Sequence, residues 1–357
     1  MNTRLQRLRA LLQEKELDAL FVSQAENRRY LSGFVGTAGF LIVSSSKAIL
    51  ATDFRYTEQA RMQAPDFEVI QVRGEPAEWL LQTAGDLGLK RVGFESPDLT
   101  FYTYHRLTEA IGRGANWQLV PTEKLVERLR SVKDPQELAA LTSAARLADR
   151  AFEHLQKTVR PGMQEREAAW EVERFLRESG SEFIPFELIV ASGPNAALPH
   201  AHPSERRIAG GEPVIMDIGA RVDGYCSDLS RTFCLGKQDE TFRRVYDIVL
   251  GAQLTALATL KPGMTGEEAD NLARTVIVQA GYGDNFGHGL GHGVGLAVHE
   301  EPRLGMNSKD VLSDNMVFTV EPGVYLPGWG GVRIEDMAVI EQGKVRPLAS
   351  SQKIYVE

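Results

Sequence analysis

A repeated segment in the C-terminal half of the chain places the strongest constraint on its fold. RPGM at Arg160–Met163 and KPGM at Lys261–Met264 open two segments that stay in register without a gap as far as Gly180 and Gly281. Each segment has apolar residues at the spacing of one helix face and then a glycine, a residue that favours helix termination. A histidine-bearing segment and two apolar strands follow each predicted helix. This order predicts two α+β units related by a pseudo-twofold axis.

Four acids interrupt the apolar strands of these two units. Asp217 and Asp228 lie in MDIGARVDGYCSDLSRTF, and Glu321 and Glu335 lie in MVFTVEPGVYLPGWGGVRIED. A carboxylate among apolar strand residues costs free energy unless a cation or a partner compensates it. A single acid of this kind is usually a solvated turn residue, but four in two matching hairpins are better explained as metal ligands. Together with His292 in GHGLGHGVG they predict a dinuclear site for metal-assisted hydrolysis.

Further histidines accompany the predicted metal site. His288 and His299 flank His292, and His200 occupies the matching place in the first repeat. The glycine-rich segment is a poor nucleotide-binding loop, because its glycines alternate and no strand-turn-helix unit frames it. Structural roles are predicted for three other histidines: His105, His154 and His202.

Length and composition bound the domain organisation. The chain has 357 residues, 43% of them hydrophobic, which is enough for one large or two ordinary domains. Residues 1–125 form the first predicted domain, in which helical LQRLRALLQEKEL, strand ALFVS, the β pair GFLIVSS and AILAT, and helical RYTEQARMQA indicate α/β architecture. A helix-rich boundary with a helix start at Asp134-Pro135 leads into the second domain, residues 126–357. The predicted class is therefore α+β, a catalytic domain preceded by a smaller α/β domain.

Charge and cysteine content exclude several classes of protein. A net charge of −8 argues against a nucleic-acid partner, which needs a basic surface. No apolar stretch has membrane-spanning length and the N-terminus lacks a secretory signal, so we expect a cytoplasmic enzyme without a membrane partner. Cys226 and Cys234 cannot build a disulfide framework and are predicted to be reduced and packed, although Cys226 as a thiolate ligand is an alternative.

The motifs GHGVGL, VHE, EPGVY and GVRIED resemble those of the pita-bread metallopeptidases, which include methionine aminopeptidase, aminopeptidase P and prolidase. The dinuclear site of that family uses Asp, Asp, His, Glu and Glu in this chain order, and the five residues named above match it. YLSGFVGTAGFLIV and ATDFRYTEQA are similar to the domain that precedes the catalytic one in Xaa-Pro aminopeptidases and prolidases. The resemblance spans nearly the whole chain. It implies a pita-bread catalytic domain, two divalent ions and a homodimer.

The resemblance also implies roles for individual residues. Two ions would activate a water and polarise the scissile carbonyl, with Mn²⁺ favoured by the oxygen-rich ligands and Co²⁺, Fe²⁺ or Zn²⁺ as alternatives. Glu321 would also move a proton from the water to the leaving amine, while His200 and His299 would stabilise the tetrahedral intermediate and position the substrate. Arg333, two residues before Glu335, would orient that carboxylate. Three residues are expected to bind substrate: His288, Arg303 and Arg333.

The implied substrates are small peptides with proline at the second position. An Xaa-Pro bond lacks the amide N–H and isomerises slowly, so a dedicated site needs an apolar proline pocket and should select the trans isomer. Arg303 in VHEEPRL resembles the carboxylate reader of prolidases, with a loop-edge salt bridge as the structural alternative. TAGF and DFRYTEQA instead favour aminopeptidase P. We therefore expect an Xaa-Pro aminopeptidase; the alternatives are an Xaa-Pro dipeptidase, a methionine aminopeptidase or a peptide-binding pita-bread protein without activity.

Overall fold

The computed structural model describes residues 3–73, 76–112, 116–348 and 350–353. The chain forms two compact units that divide between Arg130 and Ser131. The predicted boundary at residue 125 falls on the first residue of a short helix, Leu125–Ser131. In the part of the chain described, no helix combines the length and apolarity that a membrane crossing requires.

The N-terminal unit contains a mixed six-stranded sheet. Its elements are α1 (Thr3–Glu14), β1 (Ala19–Val22), α2 (Ala25–Ser32), β2 (Phe40–Ser44), β3 (Ala48–Thr52), α3 (Thr57–Gln63), β4 (Glu68–Gln71), α4 (Pro76–Asp86), β5 (Arg91–Glu95), α5 (Phe101–Gly112), β6 (Gln118–Thr122) and α6 (Leu125–Ser131). The strand order is β4-β3-β2-β1-β5-β6, with β1, β2 and β3 antiparallel and the outer pairs parallel. Phe21 and Ile42 of the sheet share a core with Trp79 and Leu107 of the helices. The predicted α/β alternation is confirmed.

The unit from Ser131 onward contains two similar halves. The first half holds α7 (Pro135–Thr158), α8 (Glu165–Glu178), β7 (Ile189–Ser192), β8 (Pro213–Ile218), β9 (Arg221–Val222), β10 (Tyr225–Cys226) and β11 (Leu229–Cys234). The second half holds α9 (Glu240–Thr259), α10 (Gly266–Gln279), β12 (Gly291–Gly293), β13 (Glu300–Leu304), β14 (Val317–Val320), β15 (Gly323–Leu326), β16 (Gly330–Arg333), β17 (Asp336–Glu341) and β18 (Lys344–Pro347). Each half therefore runs from a helix pair through a histidine-bearing segment to acid-bearing strands, which confirms the predicted α+β repeat.

The repeated sequence gives both halves the same helix start. Gln164 caps α8 and Thr265 caps α10, each in a capping box with a glutamate three residues later. The preceding Gly162 and Gly263 have φ angles of 89° and 88°, a backbone conformation that favours glycine. Asp134 caps α7 in the same way, so the predicted helix start there is also confirmed.

Each half has its own core between its helices and its sheet. The sheets have the orders β11-β8-β7 and β13-β12-β14-β17-β18. Val214 and Met216 of β8 pack in the core of the first half with Val172 of α8, while Ile215 belongs to a separate cluster. Because side chains alternate along a strand, Asp217 lies on the same face as Ile215, away from the helices. The strand pattern thus presents an acid to the region between the two halves.

Candidate metal centre and active site

The predicted ligands of the two halves meet in one cluster. Asp228, His292 and Glu335 each offer a ligand atom within 4.8 Å of the others. His292 Nε2 lies 3.2 Å from Glu321 Oε1 and 3.6 Å from Asp228 Oδ2. Asp217 joins them through a hydrogen bond with the Asp228 carboxyl group. Residues more than 100 positions apart in the sequence are therefore neighbours here.

Strand ends, rather than strand interiors, carry most of these acids. Asp217 lies within β8, where it pairs with Ser230. Asp228 directly precedes β11, Glu321 directly follows β14, and Glu335 directly precedes β17. The predicted strand setting was therefore right for Asp217 only. Leaving the hydrogen-bonded ladder lets the other three carboxylates turn towards a common point.

The electrostatics of the cluster fit a divalent cation. Burial, together with repulsion from the neighbouring carboxylates, raises the pKa of Asp228 and of Glu335 well above the ordinary values. Burial also raises the pKa of Asp217, although the Arg333 guanidinium opposes the shift. Asp217 Oδ1 and Glu335 Oε1 are buried and accept no hydrogen bond from the described residues. Oxygen atoms crowded together without donors are the ligands that hard divalent ions prefer.

Glu321 and His292 form an ion pair within this cluster. Burial opposes ionisation of Glu321, but its hydrogen bond with His292 and the His292 charge lower its pKa to about 2. Burial opposes protonation of His292 as well, yet the Glu321 hydrogen bond raises its pKa. His292 Nδ1 lies 3.1 Å from the Gly293 carbonyl, which leaves Nε2 facing the acids. A cation bound at Nε2 would replace the proton that this pair holds.

The glycines beside His292 serve backbone packing. A Cβ atom on Gly291 would lie 2.1 Å from the Thr319 carbonyl oxygen, and one on Gly293 would lie 2.0 Å from the Glu301 carbonyl oxygen. Glycine at these two positions therefore permits close contact with the neighbouring backbone. On its other side β12 pairs with β14, where Gly293 lies opposite Phe318.

A cavity of about 490 Å³ opens beside the acid cluster. Besides the four acids of the cluster and His292, it is lined by the predicted residues His200, His288, His299, Arg303 and Arg333. Its apolar wall consists of residues that the sequence did not single out: Phe186, Ile189, Pro199, Val298 and Leu304. These side chains lie in loops or on different strands, so periodicity offered no signal for them.

The predicted catalytic histidines lie on this cavity. The His299 ring meets the His292 ring edge-on at 4.3 Å between centroids. Burial, with the nearby His292, lowers the pKa of His299. His288 Nε2 lies 2.9 Å from the Tyr325 hydroxyl, and burial lowers its pKa too. His200 is exposed on the loop after β7.

The remaining histidines and the cysteines lie apart from the acid cluster. His105 is on the exposed face of α5, and His154 stacks on Phe175 with 4.6 Å between ring centroids. His202 lies on the cavity wall and pairs with Glu187 at 2.9 Å. Both cysteines are buried and neither forms a disulfide, and Cys226 Sγ donates to the backbone carbonyl of Leu296.

Arg333 supports a different acid from the one predicted. Its Nη2 donates to Asp217 Oδ2 at 2.7 Å, and its Nη1 donates to the Tyr325 hydroxyl at 3.0 Å. The expected partner, Glu335, lies beyond the end of β16, and the hydrogen bonds of the Arg333 guanidinium group go to other residues. Tyr325 links Arg333 to His288, a connection that the sequence analysis missed although the EPGVY motif contains this tyrosine.

Arg303 lies on the cavity wall without an internal partner. It stands opposite His292 in the β12–β13 ladder, so both side chains project from the same face of that sheet. The residue is exposed, and its guanidinium group makes no hydrogen bond or ion pair with any residue that the structure describes.

Comparison with known proteins identifies the class. Residues 139–342 match metallopeptidase family M24, and residues 4–132 match the creatinase/prolidase N-terminal domain. The chain therefore belongs to metallopeptidase family M24, a family of pita-bread fold, and carries the creatinase/prolidase N-terminal domain.

Individual relatives cover nearly the whole chain. A solved structure of an Xaa-Pro dipeptidase from Bacillus anthracis superposes with a TM-score of 0.95 and is 41% identical, with 99% of both chains covered. An X-Pro aminopeptidase from Thermotoga maritima superposes with a TM-score of 0.89 and is 35% identical, again over 99% of both chains. The Xaa-Pro dipeptidase of Pyrococcus furiosus is 33% identical over 99% of both sequences.

Proposed function

We propose that this chain hydrolyses the peptide bond before proline in small Xaa-Pro peptides. The membership of metallopeptidase family M24 and the likeness to Xaa-Pro dipeptidases support this activity. The proposed ligands of two divalent ions are Asp217, Asp228, His292, Glu321 and Glu335. Ions bound there would lower the pKa of a water and polarise the scissile carbonyl. The oxygen-rich ligand set favours Mn²⁺, and a homodimer is part of the proposal.

The surrounding side chains have chemistry suited to this reaction. Glu321 is ionised, so it can accept a proton from a water and return it to the leaving nitrogen. His299 has a lowered pKa and is therefore neutral near pH 7, so it can donate one N–H to a developing oxyanion without adding a charge. Arg333 holds Asp217 in place. The apolar side chains of Phe186, Val298 and their neighbours would receive the pyrrolidine ring of proline.

The unpaired guanidinium group of Arg303 carries the proposal about substrate length. The loop-edge salt bridge that would explain this arginine structurally is not formed with any described residue. A guanidinium group on the same sheet face as His292 can instead bind the free carboxylate of a C-terminal proline. We therefore propose an Xaa-Pro dipeptidase, and not the aminopeptidase that the N-terminal motifs favour.

An Xaa-Pro aminopeptidase is the second candidate function. The likeness to the Thermotoga maritima X-Pro aminopeptidase supports it. His200 and Arg303 are both exposed at the cavity, so a peptide that continues beyond proline would meet solvent there.

The two candidates predict different responses to removal of Arg303. We expect Arg303→Ala to lower kcat/KM for an Xaa-Pro dipeptide by about 10- to 150-fold, the equivalent of about 1.5–3 kcal/mol for a charged hydrogen bond. The same change should scarcely affect the matching Xaa-Pro amide, which has no carboxylate. The measurement is steady-state hydrolysis with added Mn²⁺, with Arg303→Lys as the charge-conserving control.

Other outcomes would redirect the assignment. Efficient cleavage of Xaa-Pro-Yaa tripeptides without dependence on Arg303 would establish the aminopeptidase. Cleavage of Met-Ala peptides would favour a methionine aminopeptidase. A purified chain that binds no metal and cleaves none of these peptides would contradict an enzymatic role.

A further inference from the structure

The loop that follows β7 brings His200 to the cavity. It begins at Gly193, passes through a 3₁₀ turn, and carries Pro199 and His200 to the cavity wall. The His200 imidazole is exposed and makes no hydrogen bond with the residues described. Its location therefore depends on the backbone of the loop, and the backbone must be held elsewhere.

Glu165, the first residue of α8, binds both ends of this loop. At the near end, Oε1 accepts from the Ser192 amide and the Ser192 hydroxyl, both at 2.7 Å. At the far end, Oε2 accepts from the Ser204 amide at 3.1 Å and the Ser204 hydroxyl at 2.5 Å. The Asn195 amide donates to both oxygens at 3.2 and 3.0 Å. The Glu165 side chain is fully buried, and its two hydrogen bonds with Ser192 are buried as well.

Backbone contacts reinforce the far end of the loop. The Glu165 amide donates to the Arg206 carbonyl at 3.0 Å, and the Arg166 amide donates to the Ser204 carbonyl at 3.1 Å. Arg206 in turn donates to the Ser192 hydroxyl at 2.6 Å, which joins the two ends of the loop directly. A shift of the loop would break several of these buried bonds together.

The second repeat shows that this glutamate is not required to start the helix. In the aligned repeats Glu165 corresponds to Gly266, which opens α10 behind an equivalent capping box. A Cβ atom on Gly266 would lie 2.0 Å from the Arg303 carbonyl oxygen, so no side chain fits there. The buried carboxylate is therefore specific to the half that carries His200.

We propose that Glu165 is a positioning residue that fixes the His200 loop at the cavity. The loop also presents the Pro199 carbonyl, which accepts from Arg333 at 3.1 Å, so its placement bears on the support of Asp217. The expected effect on turnover rests on the proposed function, whereas the expected effect on the loop does not.

The test uses Glu165→Gln in the full chain, with Glu178→Gln as the control. The amide replaces one acceptor oxygen by a donor, so the Ser192 or the Ser204 amide loses its partner. Glu178 is an exposed residue of the same helix. We expect Glu165→Gln to speed amide hydrogen exchange in residues 192–204 selectively and to lower kcat by about tenfold or more with unchanged metal content. The control should leave both unchanged.

A double-mutant cycle separates positioning from simple stabilisation. If Glu165 acts through His200, Glu165→Gln should lower kcat much less in a His200→Ala background than in the wild type. Fully additive effects, or faster exchange spread evenly over the whole unit, would overturn the proposal. If the wild type cleaves no Xaa-Pro peptide, the proposed function fails while local exchange at 192–204 still decides the role of Glu165. If Glu165→Gln does not fold, Ser204→Ala provides the same measurements with one donor removed.

Discussion

At the scale of single residues, two histidines that lie side by side differ in their contacts with the acid cluster. His292 faces Glu321 and Asp228 through Nε2, while its Nδ1 is directed to the Gly293 carbonyl. The His299 ring meets the His292 ring edge-on and makes no hydrogen bond with described residues. The two rings are adjacent, but only His292 has a ring nitrogen, Nε2, that faces the carboxylates of the cluster.

This difference predicts distinct outcomes for two substitutions. His292→Ala should lose most of the bound metal, because it removes a ligand from the cluster. His299→Ala should retain the metal and lose mainly kcat. Metal content by elemental analysis, beside steady-state kinetics, makes the comparison, with His154→Ala as a control far from the cluster. Equal loss of metal in the first two variants would show that His299 is also a ligand.

At the scale of secondary structure elements, the short strand β12 depends on its glycines. It lies between β13 and β14 and carries His292 at its centre. The close approach at Gly291 leaves no room for a methyl group beside the Thr319 carbonyl. Thr319 Oγ1 also accepts from the His292 amide at 3.0 Å and donates to Glu321 Oε1 at 3.0 Å. The spacing between β12 and β14 therefore determines where His292 and Glu321 lie in the cluster.

We expect Gly291→Ala to lower the free energy of unfolding by about 1–3 kcal/mol, since the added methyl group overpacks a backbone contact. It should weaken metal binding as well, because His292 moves with the strand. Gly251→Ala in helix α9 is the matched control: nothing lies within 4 Å of its Cβ position, apart from its own helix. That control should raise stability by about 0.5–1 kcal/mol. Urea titrations and metal analysis measure the two effects. Equal stability and equal metal content in the two variants would contradict this expectation.

At the scale of the whole molecule, strands that belong to two separate cores bring together acids that repel one another. Residues of α7 and α8 pack on β8 and β11, and residues of α9 and α10 pack on β14 and β17. Neither core contains the acids: Asp217 lies within β8, and the other three lie directly beside strand ends. A buried group of like charges destabilises the fold unless protons or cations neutralise it. The stability of the chain should therefore be linked to both pH and metal.

The direction of this linkage follows from the raised pKa values of Asp228 and Glu335. In the metal-free protein these acids keep protons that the unfolded chain has already released above about pH 4, so the free energy of unfolding falls as pH rises through that window. The lowered pKa of Glu321 acts in the opposite direction, and only in more acidic solution. Metal competes with the protons and removes the repulsion.

We therefore expect the difference in Tm between Mn²⁺-loaded and chelated protein to widen from about pH 5 to about pH 8. Chelation should also abolish peptide hydrolysis, and added Mn²⁺ should restore it. Scanning calorimetry with and without chelator measures the first effect, with KCl of matched ionic strength as the control. A difference in Tm that stays constant with pH, or full activity in metal-free protein, would contradict this linkage.

The sequence by itself determined the repeat, the helix starts and the candidate ligands in chain order. The helix start at Asp134-Pro135, the helical stripes and the Pro-Gly-Met turns each depend on a few neighbouring residues, so local pattern was sufficient to predict them. The five candidate ligands matched a known chain order of residue types, which does not depend on geometry.

Tertiary structure alone decided which of these side chains meet. Arg333 donates a hydrogen bond to Asp217, a residue 116 positions away, although Glu335 is only two positions along the chain. The apolar wall of the cavity, the unpaired Arg303 and the anchoring of the His200 loop by Glu165 likewise depend on elements that are distant in sequence. Periodicity reports which face of one element is apolar, but the packing of one element on another decides which partner each polar group finds.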